Sequence, residues 1–185
     1  LGIADARVVV TSVWPVHVDT LILVQGLTDH GVYMSPLIRE CHERLAHGID
    51  GLGHERVFIA RGAGFRRNFV DPSGADLMAA AAGYHVLDAS RAGYLEQIAT
   101  VRDARVVAGA LGAALTAIAY AKPPSQAIVF AGAEMPDTFF WFLANVFGHR
   151  YREICCTQLP ETHPGWHDGH LQVDAQEFGQ VLENA

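Results

Sequence analysis

The fold of this chain is restricted most by one pattern: short β-branched apolar runs alternate with longer runs that have helical spacing. Strands are predicted at 6–11, 21–26, 56–60, 84–89, 105–109, 127–132 and 151–156. Helices are predicted between them at about 35–48, 72–82, 93–102, 112–121, 136–147 and 174–183. Continuous apolar strands separated by helices are typical of parallel sheets that are covered on both faces. The sequence therefore predicts a doubly wound, mostly parallel α/β fold.

The chain length and the residues that begin and end the helices refine this expectation. Because 185 residues, half of them apolar, can bury one core, we expect a single Rossmann-like domain over 1–185, with a loop-rich segment at 157–170. The helix at 72–82 has a candidate N-cap in Asp71, a proline at its first position and Gly83 at its exit. The odd set of three cysteines, Cys41, Cys155 and Cys156, is a poor disulfide framework. Cys155 and Cys156 are neighbours in a predicted strand and should point to opposite faces, so we expect both to be buried free thiols.

The charge balance excludes several classes of partner. With 20 acidic and 13 basic residues the formal net charge is −7, and basic residues are scattered except around Arg66 and Arg67. This balance disfavours binding to nucleic acid or to an anionic membrane surface. No apolar run approaches the roughly 20 residues of a bilayer span, and no signal-peptide core is present. We expect a cytoplasmic protein without a membrane span, either free or peripheral to a membrane assembly.

Ligands of doubly wound folds bind beyond the carboxyl ends of the strands, so the loops there are the first candidates for a binding site. The loop after 56–60 places Arg61, Arg66 and Arg67 beside Gly62 and Gly64. Three guanidinium groups can grip a phosphate through charge-assisted hydrogen bonds, although a solvated turn can have the same composition. The loop is not a dinucleotide fingerprint, because Arg67 stands where that motif has its third glycine.

A second glycine-containing loop joins the strand at 105–109 to an alanine-rich helix. Gly109 and Gly112 bracket the junction, and Ala113 follows it. A helix N-terminus offers backbone N–H groups and the positive end of the helix dipole, which suit a diphosphate. Glycine would let such a ligand approach the backbone, but close packing of a helix on a sheet explains the same residues equally well.

Acidic and amide side chains near the other loops are candidates for sugar recognition. Glu96 and Gln97 lie near a helix start, where they either bind sugar hydroxyls or cap the helix. Glu134 and Asp137 precede the aromatic run "FFWF" and can meet the ribose or sugar of a donor. The four aromatic residues extend around more than one helical turn, so at least two of them are predicted to be core.

One stretch has the composition of a metal site. His163, His167 and His170, with Asp168 among them, have spacings compatible with zinc ligands. They lie in a predicted loop and lack a His-Glu-x-x-His helix, so we expect no functional metal and no cofactor.

The order of these features resembles a known family. The strand-end arginine, the Glu-Gln helix start, "DARVVAGALGAALTAIAYAKPP" and "FFWFLANVFGHRYREI" are together similar to the C-terminal domain of family 61 glycosyltransferases. These are capsular-polysaccharide and glycan-extending enzymes of GT-B architecture. The resemblance covers about 55–157 well and is weaker, though compatible, over the first fifty residues and over "GWHDGHLQVDAQEFGQVL".

The resemblance implies transfer of a sugar from a nucleotide-sugar donor to a glycan acceptor, with inversion and without a metal. It places the diphosphate on the basic loop and the glycine turn, and the donor sugar or ribose near the acidic candidates. The positions that match the donor-binding motifs are Arg61, Arg66 or Arg67, Gly109, Gly112, Ala113, Glu96 and Gln97. Glu134 is a further candidate from its loop position alone.

Three positions depart from the family pattern. The histidine of the glycine turn is Leu111, the asparagine that follows Leu-Thr is Ala117, and the Asn-Glu of the first loop is Val70-Asp71. An imidazole can donate to a leaving phosphate or carry a proton, and a leucine can do neither. The sequence does not identify a catalytic base.

A GT-B enzyme works in a cleft between two domains, and this chain supplies one. We therefore expect a missing N-terminal domain or a partner chain, seated on an exposed apolar patch near the carboxyl ends of the strands. The alternative function is a non-catalytic nucleotide- or glycan-binding module of the same fold, which Leu111 and Ala117 favour. A Rossmann-like oxidoreductase or methyltransferase is a weaker alternative, because neither glycine-containing loop has the full dinucleotide-binding motif.

Overall fold

A computed structural model describes residues 17–20, 22, 26–62, 64, 66–135, 137–160 and 169–185. The strands are β1 (Thr28–Asp29), β2 (Tyr33–Met34), β3 (Arg56–Ala60), β4 (His85–Asp88), β5 (Val106–Ala110), β6 (Gln126–Gly132), β7 (Arg150–Gln158) and β8 (Leu171–Gln172). The α-helices are α1 (Leu37–Leu45), α2 (Pro72–Ala81), α3 (Tyr94–Val101), α4 (Phe139–Phe147) and α5 (Ala175–Glu183). A 3-10 helix occupies Ala113–Tyr120.

Six strands form the central sheet in the order β4-β3-β5-β6-β7-β8. The first five pair in parallel, and β8 is antiparallel to β7. From β3 the chain turns to one side to form β4, and it then returns to the other side to form β5. This reversal creates a switch point between β3 and β5, the place in such sheets where ligands bind beyond the carboxyl ends of the strands.

Side chains of the strands alternate between two apolar layers. Val57 and Ile59 belong to the layer that includes α3, the 3-10 helix and α4, whereas Phe58 belongs to the layer that includes α2 and α5. Both faces of the sheet therefore carry helices. The predicted α/β class with a mostly parallel sheet is confirmed.

The predicted elements within the described residues are found with small shifts at their ends. The predicted strand at 6–11 lies outside the described residues, and so does most of the one at 21–26. β1, β2 and β8 were not predicted, because a two-residue strand is too short to show a periodicity. The helix at 72–82 begins and ends as predicted: at its N-terminus Asp71 Oδ1 accepts the N–H of Gly74 at 2.9 Å, and after its C-terminus Gly83 has a φ of 82°.

The segment predicted as an α-helix at 112–121 is instead a 3-10 helix. It must lead from the carboxyl end of β5 back to the start of β6, a distance set by the five residues of β5, about 16 Å. Eight residues span about 16 Å as a 3-10 helix but only about 12 Å as an α-helix. The 3-10 helix is thus long enough to cover this distance alone, whereas an α-helix would leave about 4 Å to residues 111–112 and 121–125.

β7 is longer than predicted and includes Thr157 and Gln158, so the predicted loop-rich segment begins only after it. Leu159 N–H donates to the carbonyl of His170 at 2.9 Å, and 161–168 lie outside the described residues. The adjacent cysteines of β7 face opposite sides, as expected, but only Cys156 is buried. The prediction of a buried thiol is therefore wrong for Cys155; Cys41, in α1, is exposed as well.

His149 is a buried titratable group between α4 and β7. Its Nδ1 accepts the N–H of Ser125 at 3.3 Å, and its ring stacks on Phe147. Burial lowers the pKa of His149, the nearby Ile118 carbonyl opposes this effect, and the positive charge of Arg39 lowers the pKa further. The folded protein therefore holds this imidazole in its neutral form.

We predict that acid weakens the fold partly through His149. Because the folded pKa lies below the unfolded value of about 6.5, the unfolded chain binds the proton first, and the free energy of unfolding should fall as the pH drops below about 6.5. His149→Gln keeps an acceptor but does not titrate, so it should reduce this dependence. Urea unfolding at several pH values measures both proteins, and equal slopes would contradict the prediction.

Candidate functional site

The candidate site lies at the carboxyl edge of the sheet, where Arg61 follows β3 and Leu111 follows β5. The Nη1 atom of Arg61 donates to the carbonyl oxygen of Leu111 at 3.2 Å and to that of Arg67 at 3.1 Å. The strand-end arginine thus connects the two loops on either side of the switch point. The structure brings together the basic loop and the glycine turn, which the sequence places 50 residues apart.

Gly112 makes room for this arginine. A Cβ atom at Gly112 would lie 2.8 Å from Arg61 Nη1 and 2.9 Å from its Cζ, so the guanidinium packs directly on the main chain of residue 112. The φ of 163° is extended backbone that any residue adopts, so space, not conformation, requires the glycine. Gly109 differs: its Cβ position lies 2.9 Å from the carbonyl oxygen of Ile59, and close packing of β3 and β5 explains it.

Arg67 also reaches the site, from a residue with left-handed backbone. Its φ is 55°, a conformation that costs a non-glycine residue about 1–2 kcal/mol. Its Nη1 lies 3.5 Å from the sulfur of Met135, in the loop after β6. Arg66, its neighbour, is exposed. Arg67 therefore contacts the third loop of this edge.

Asn68 holds the basic loop in shape, a role that the sequence analysis missed. Its buried side-chain amide donates to the carbonyl of Arg61 at 3.0 Å and to that of Gly62 at 3.3 Å, and its Oδ1 accepts the N–H of Phe69 at 2.9 Å. Asparagine commonly bonds to nearby backbone in loops, and this tendency was the available signal.

Of the positions that depart from the family pattern, Leu111 and Ala117 are buried, whereas Val70 and Asp71 are exposed. Leu111 is 4% exposed and packs in the apolar layer that includes the 3-10 helix, and Ala117 is one of the buried residues of that helix. Only the main chain of Leu111 takes part in the site: its N–H donates to Phe130 at 2.8 Å, and its carbonyl accepts from Arg61. Ala113 is exposed at the start of the 3-10 helix.

The sugar-binding candidates lie in two other loops. Gln97 donates its side-chain amide to the carbonyls of Ala89 (3.1 Å) and Ala92 (3.0 Å), and Glu96 accepts the N–H of Gly93 at 3.2 Å. Both side chains therefore stabilise the loop between β4 and α3, which is the capping alternative. Glu134 is exposed in the loop after β6, next to Met135. Sugar binding by these residues stays a prediction.

Cavity size does not locate the site. The cavity lined by Arg67, Leu111 and Met135 holds only about 10 Å³, roughly the room for one water. A groove of about 480 Å³ lies at the opposite edge and is lined by Arg105, Lys122 and other residues. We favour the carboxyl edge, because the switch point lies there and because Lys122 is already paired with Asp103 at 2.7 Å.

Two further expectations concern metals and exposed apolar surface. Within the described ranges no group of three His, Cys, Asp or Glu side chains is placed to hold a metal; His163, His167 and Asp168 lie outside those ranges, and His170 is exposed. Large apolar side chains are exposed around the starts of α2, α3 and α4, at the carboxyl edge where a patch was expected. They are Val70, Tyr94, Leu95 and Trp141.

Comparison with known families decides the class of protein. The model of the family described as Glycosyltransferase 61 matches residues 4–128. The chain belongs to the glycosyltransferase 61 family. This match includes every predicted diphosphate-binding residue together with Glu96 and Gln97, starts earlier than the resemblance seen in the sequence, and ends before the aromatic helix α4. No curated protein matches the chain.

Membership of glycosyltransferase 61 supports glycosyl transfer as the general activity. Among the residues that the structure describes, no helix is both long and apolar enough to cross a bilayer.

The different surroundings of Gly109 and Gly112 predict different costs for the same substitution. Gly109→Ala should lower the free energy of unfolding by about 1–3 kcal/mol, because its methyl group meets a strand carbonyl that cannot move. Gly112→Ala meets the end of a flexible side chain, so it should cost only about 1 kcal/mol, as Arg61 loses its bond to Leu111. Urea unfolding of both variants tests this order, and the reverse order would refute it.

Proposed function

We propose that this chain is the nucleotide-sugar-binding part of an inverting glycosyltransferase of GT-B architecture, acting in polysaccharide or glycan biosynthesis. The observation that carries the proposal is the contact of Arg61 with the main chain of Leu111 and Gly112 at the switch point between β3 and β5. A fixed cation at this place in an α/β sheet suits a ligand with a diphosphate.

In the proposed mechanism, Arg61 and Arg67 bind the diphosphate of the donor, with Arg66 and the main chain at 112–113 as further contacts. The acceptor oxygen attacks the anomeric carbon from the side opposite the diphosphate, which leaves with the bonding electron pair. Guanidinium groups held in place before the reaction stabilise the negative charge that develops on the leaving group. We propose that this charge is neutralised by arginine and not by a metal ion. Glu96, Gln97 and Glu134 are proposed contacts of the donor sugar or ribose.

We further propose that an N-terminal domain or a partner chain completes the acceptor side of the cleft, in the cytoplasm. The exposed Val70, Tyr94, Leu95 and Trp141, four of the twelve large apolar side chains exposed among the described residues, support this, because apolar surface beside a binding site is typical of a surface that another domain covers.

One observation favours a second function, a nucleotide- or glycan-binding module without activity. Leu111 stands where the family pattern has histidine, and its side chain is buried in the core. Main-chain and arginine contacts to a diphosphate do not need that histidine, so binding can persist where turnover is lost.

We predict that Arg61→Ala weakens nucleotide binding about 10- to 100-fold, the loss expected for charged hydrogen bonds. Calorimetric titration with UDP, GDP and their sugars measures this effect. Arg105→Ala is the matched control, because it removes the same charge from an exposed arginine that lines the groove at the opposite edge, and it should bind normally.

Thermal unfolding shows whether each variant is folded. Equal affinity of the wild type and Arg61→Ala, or no nucleotide binding by the wild type, would refute the proposed site. With the partner and a glycan acceptor present, binding without release of UDP or GDP from any donor sugar would favour the module over the enzyme.

A further inference from the structure

A histidine and an aspartate that are far apart in sequence meet at the same edge of the sheet. His30 lies in the turn between β1 and β2, and Asp137 lies just before α4. The Nε2 atom of His30 is 3.4 Å from Oδ2 of Asp137. The aspartate side chain is only 10% exposed, whereas that of His30 is 72% exposed. A largely buried carboxylate thus faces one nitrogen of an accessible imidazole.

Asp137 is held by the start of α4. Its Oδ1 accepts the N–H of Phe139 at 2.8 Å, which directs the other carboxylate oxygen, Oδ2, toward His30. The position of the carboxylate therefore depends on the helix backbone and not on the histidine.

His30 is held by a contact of its ring and by a hydrogen bond to the residue that follows it. The imidazole stacks on Phe139, with ring centroids 5.2 Å apart and an angle of 12° between the planes. The next residue, Gly31, accepts a hydrogen bond from Thr138 Oγ1 at 2.8 Å, which attaches the turn to the start of α4. An exposed histidine with this many contacts has a defined orientation.

The orientation assigns different tasks to the two ring nitrogens. With Nε2 toward the carboxylate, the proton of the neutral ring belongs on Nε2, and Nδ1 carries the lone pair. The carboxylate also stabilises the imidazolium that forms when Nδ1 takes a proton. An aspartate that orients a histidine in this way is the arrangement of a general base.

The pair lies near the proposed donor site. Met135, which contacts Arg67, is two residues from Asp137, so their Cα atoms are at most about 7 Å apart. Within the loop after β6, Met135 therefore contacts Arg67, and Asp137, two residues later, faces His30.

We propose that His30 is the base that accepts the proton of the acceptor hydroxyl, and that Asp137 is its positioning residue. This inference rests on the proposed function. As the acceptor oxygen forms its bond to the anomeric carbon, its proton passes to Nδ1 of His30. The bond between that carbon and the diphosphate oxygen breaks, and the diphosphate leaves with the electron pair. With water as acceptor, the same step hydrolyses the donor.

The test measures hydrolysis of each UDP- and GDP-sugar that binds to the chain. His30→Ala and His30→Gln should lower kcat about 10²- to 10⁴-fold, the usual contribution of a general base, with the donor KM unchanged. Added imidazole should restore part of the kcat of His30→Ala but none of that lost in Arg61→Ala. His47→Ala is the control, because it removes an exposed histidine that follows α1, and its kcat should equal that of the wild type.

Asp137 needs a readout that reports position and not folding. In Asp137→Asn, ¹H–¹⁵N spectra of the His30 ring should show loss of the preference for the Nε2–H tautomer, together with a lower kcat at unchanged donor KM. An unaltered tautomer in this variant would refute the positioning role.

The remaining outcomes separate the two proposals. If nucleotide binds but His30→Ala hydrolyses the donor as fast as the wild type, or if the wild type hydrolyses none of the donors that it binds, His30 is not the base and the donor site stands. If no nucleotide binds to the wild type, the proposed function fails, and the role of His30 fails with it.

Discussion

The contact on which the candidate site depends is that of one guanidinium with two carbonyl oxygens. Arg61 follows the central strand β3, and its bonds to Leu111 and Arg67 join the loops on both sides of the switch point. Gly112 allows the contact, because any side chain there would occupy the space of the guanidinium. A single arginine therefore fixes the geometry of the edge and supplies positive charge to it. This double role explains why the glycine turn and the basic loop belong to one site.

Much of the fold could be predicted from local patterns. The β-branched runs identified β3 and β5, and Asp71 with Gly83 identified the ends of α2. The 3-10 form could not be predicted, because an alanine-rich composition favours an α-helix. The exposure of Cys155 could not be predicted either, because strand periodicity assigns a residue to a face of the sheet but does not say how completely that face is covered.

The sequence identified some residues of the candidate site but not the contacts between them. Arg61 and Gly112 were identified from charge and glycine content, but their contact depends on strand order, which the sequence does not state. Gly109 was grouped with Gly112, and only the structure shows that it packs against Ile59. His30 is one of ten histidines and could not be identified from the sequence, because nothing there places it beside Asp137, 107 residues away.

The hydrogen bonds of Asn68 to the carbonyls of Arg61 and Gly62 affect the free energy with which any ligand binds at this edge. Its amide ties the ends of the basic loop to each other, while Gln97 does the same for the loop after β4. Ordering a flexible loop on binding costs free energy for every residue that is immobilised. Here that entropy has been lost during folding, so a small anion can gain affinity from few contacts.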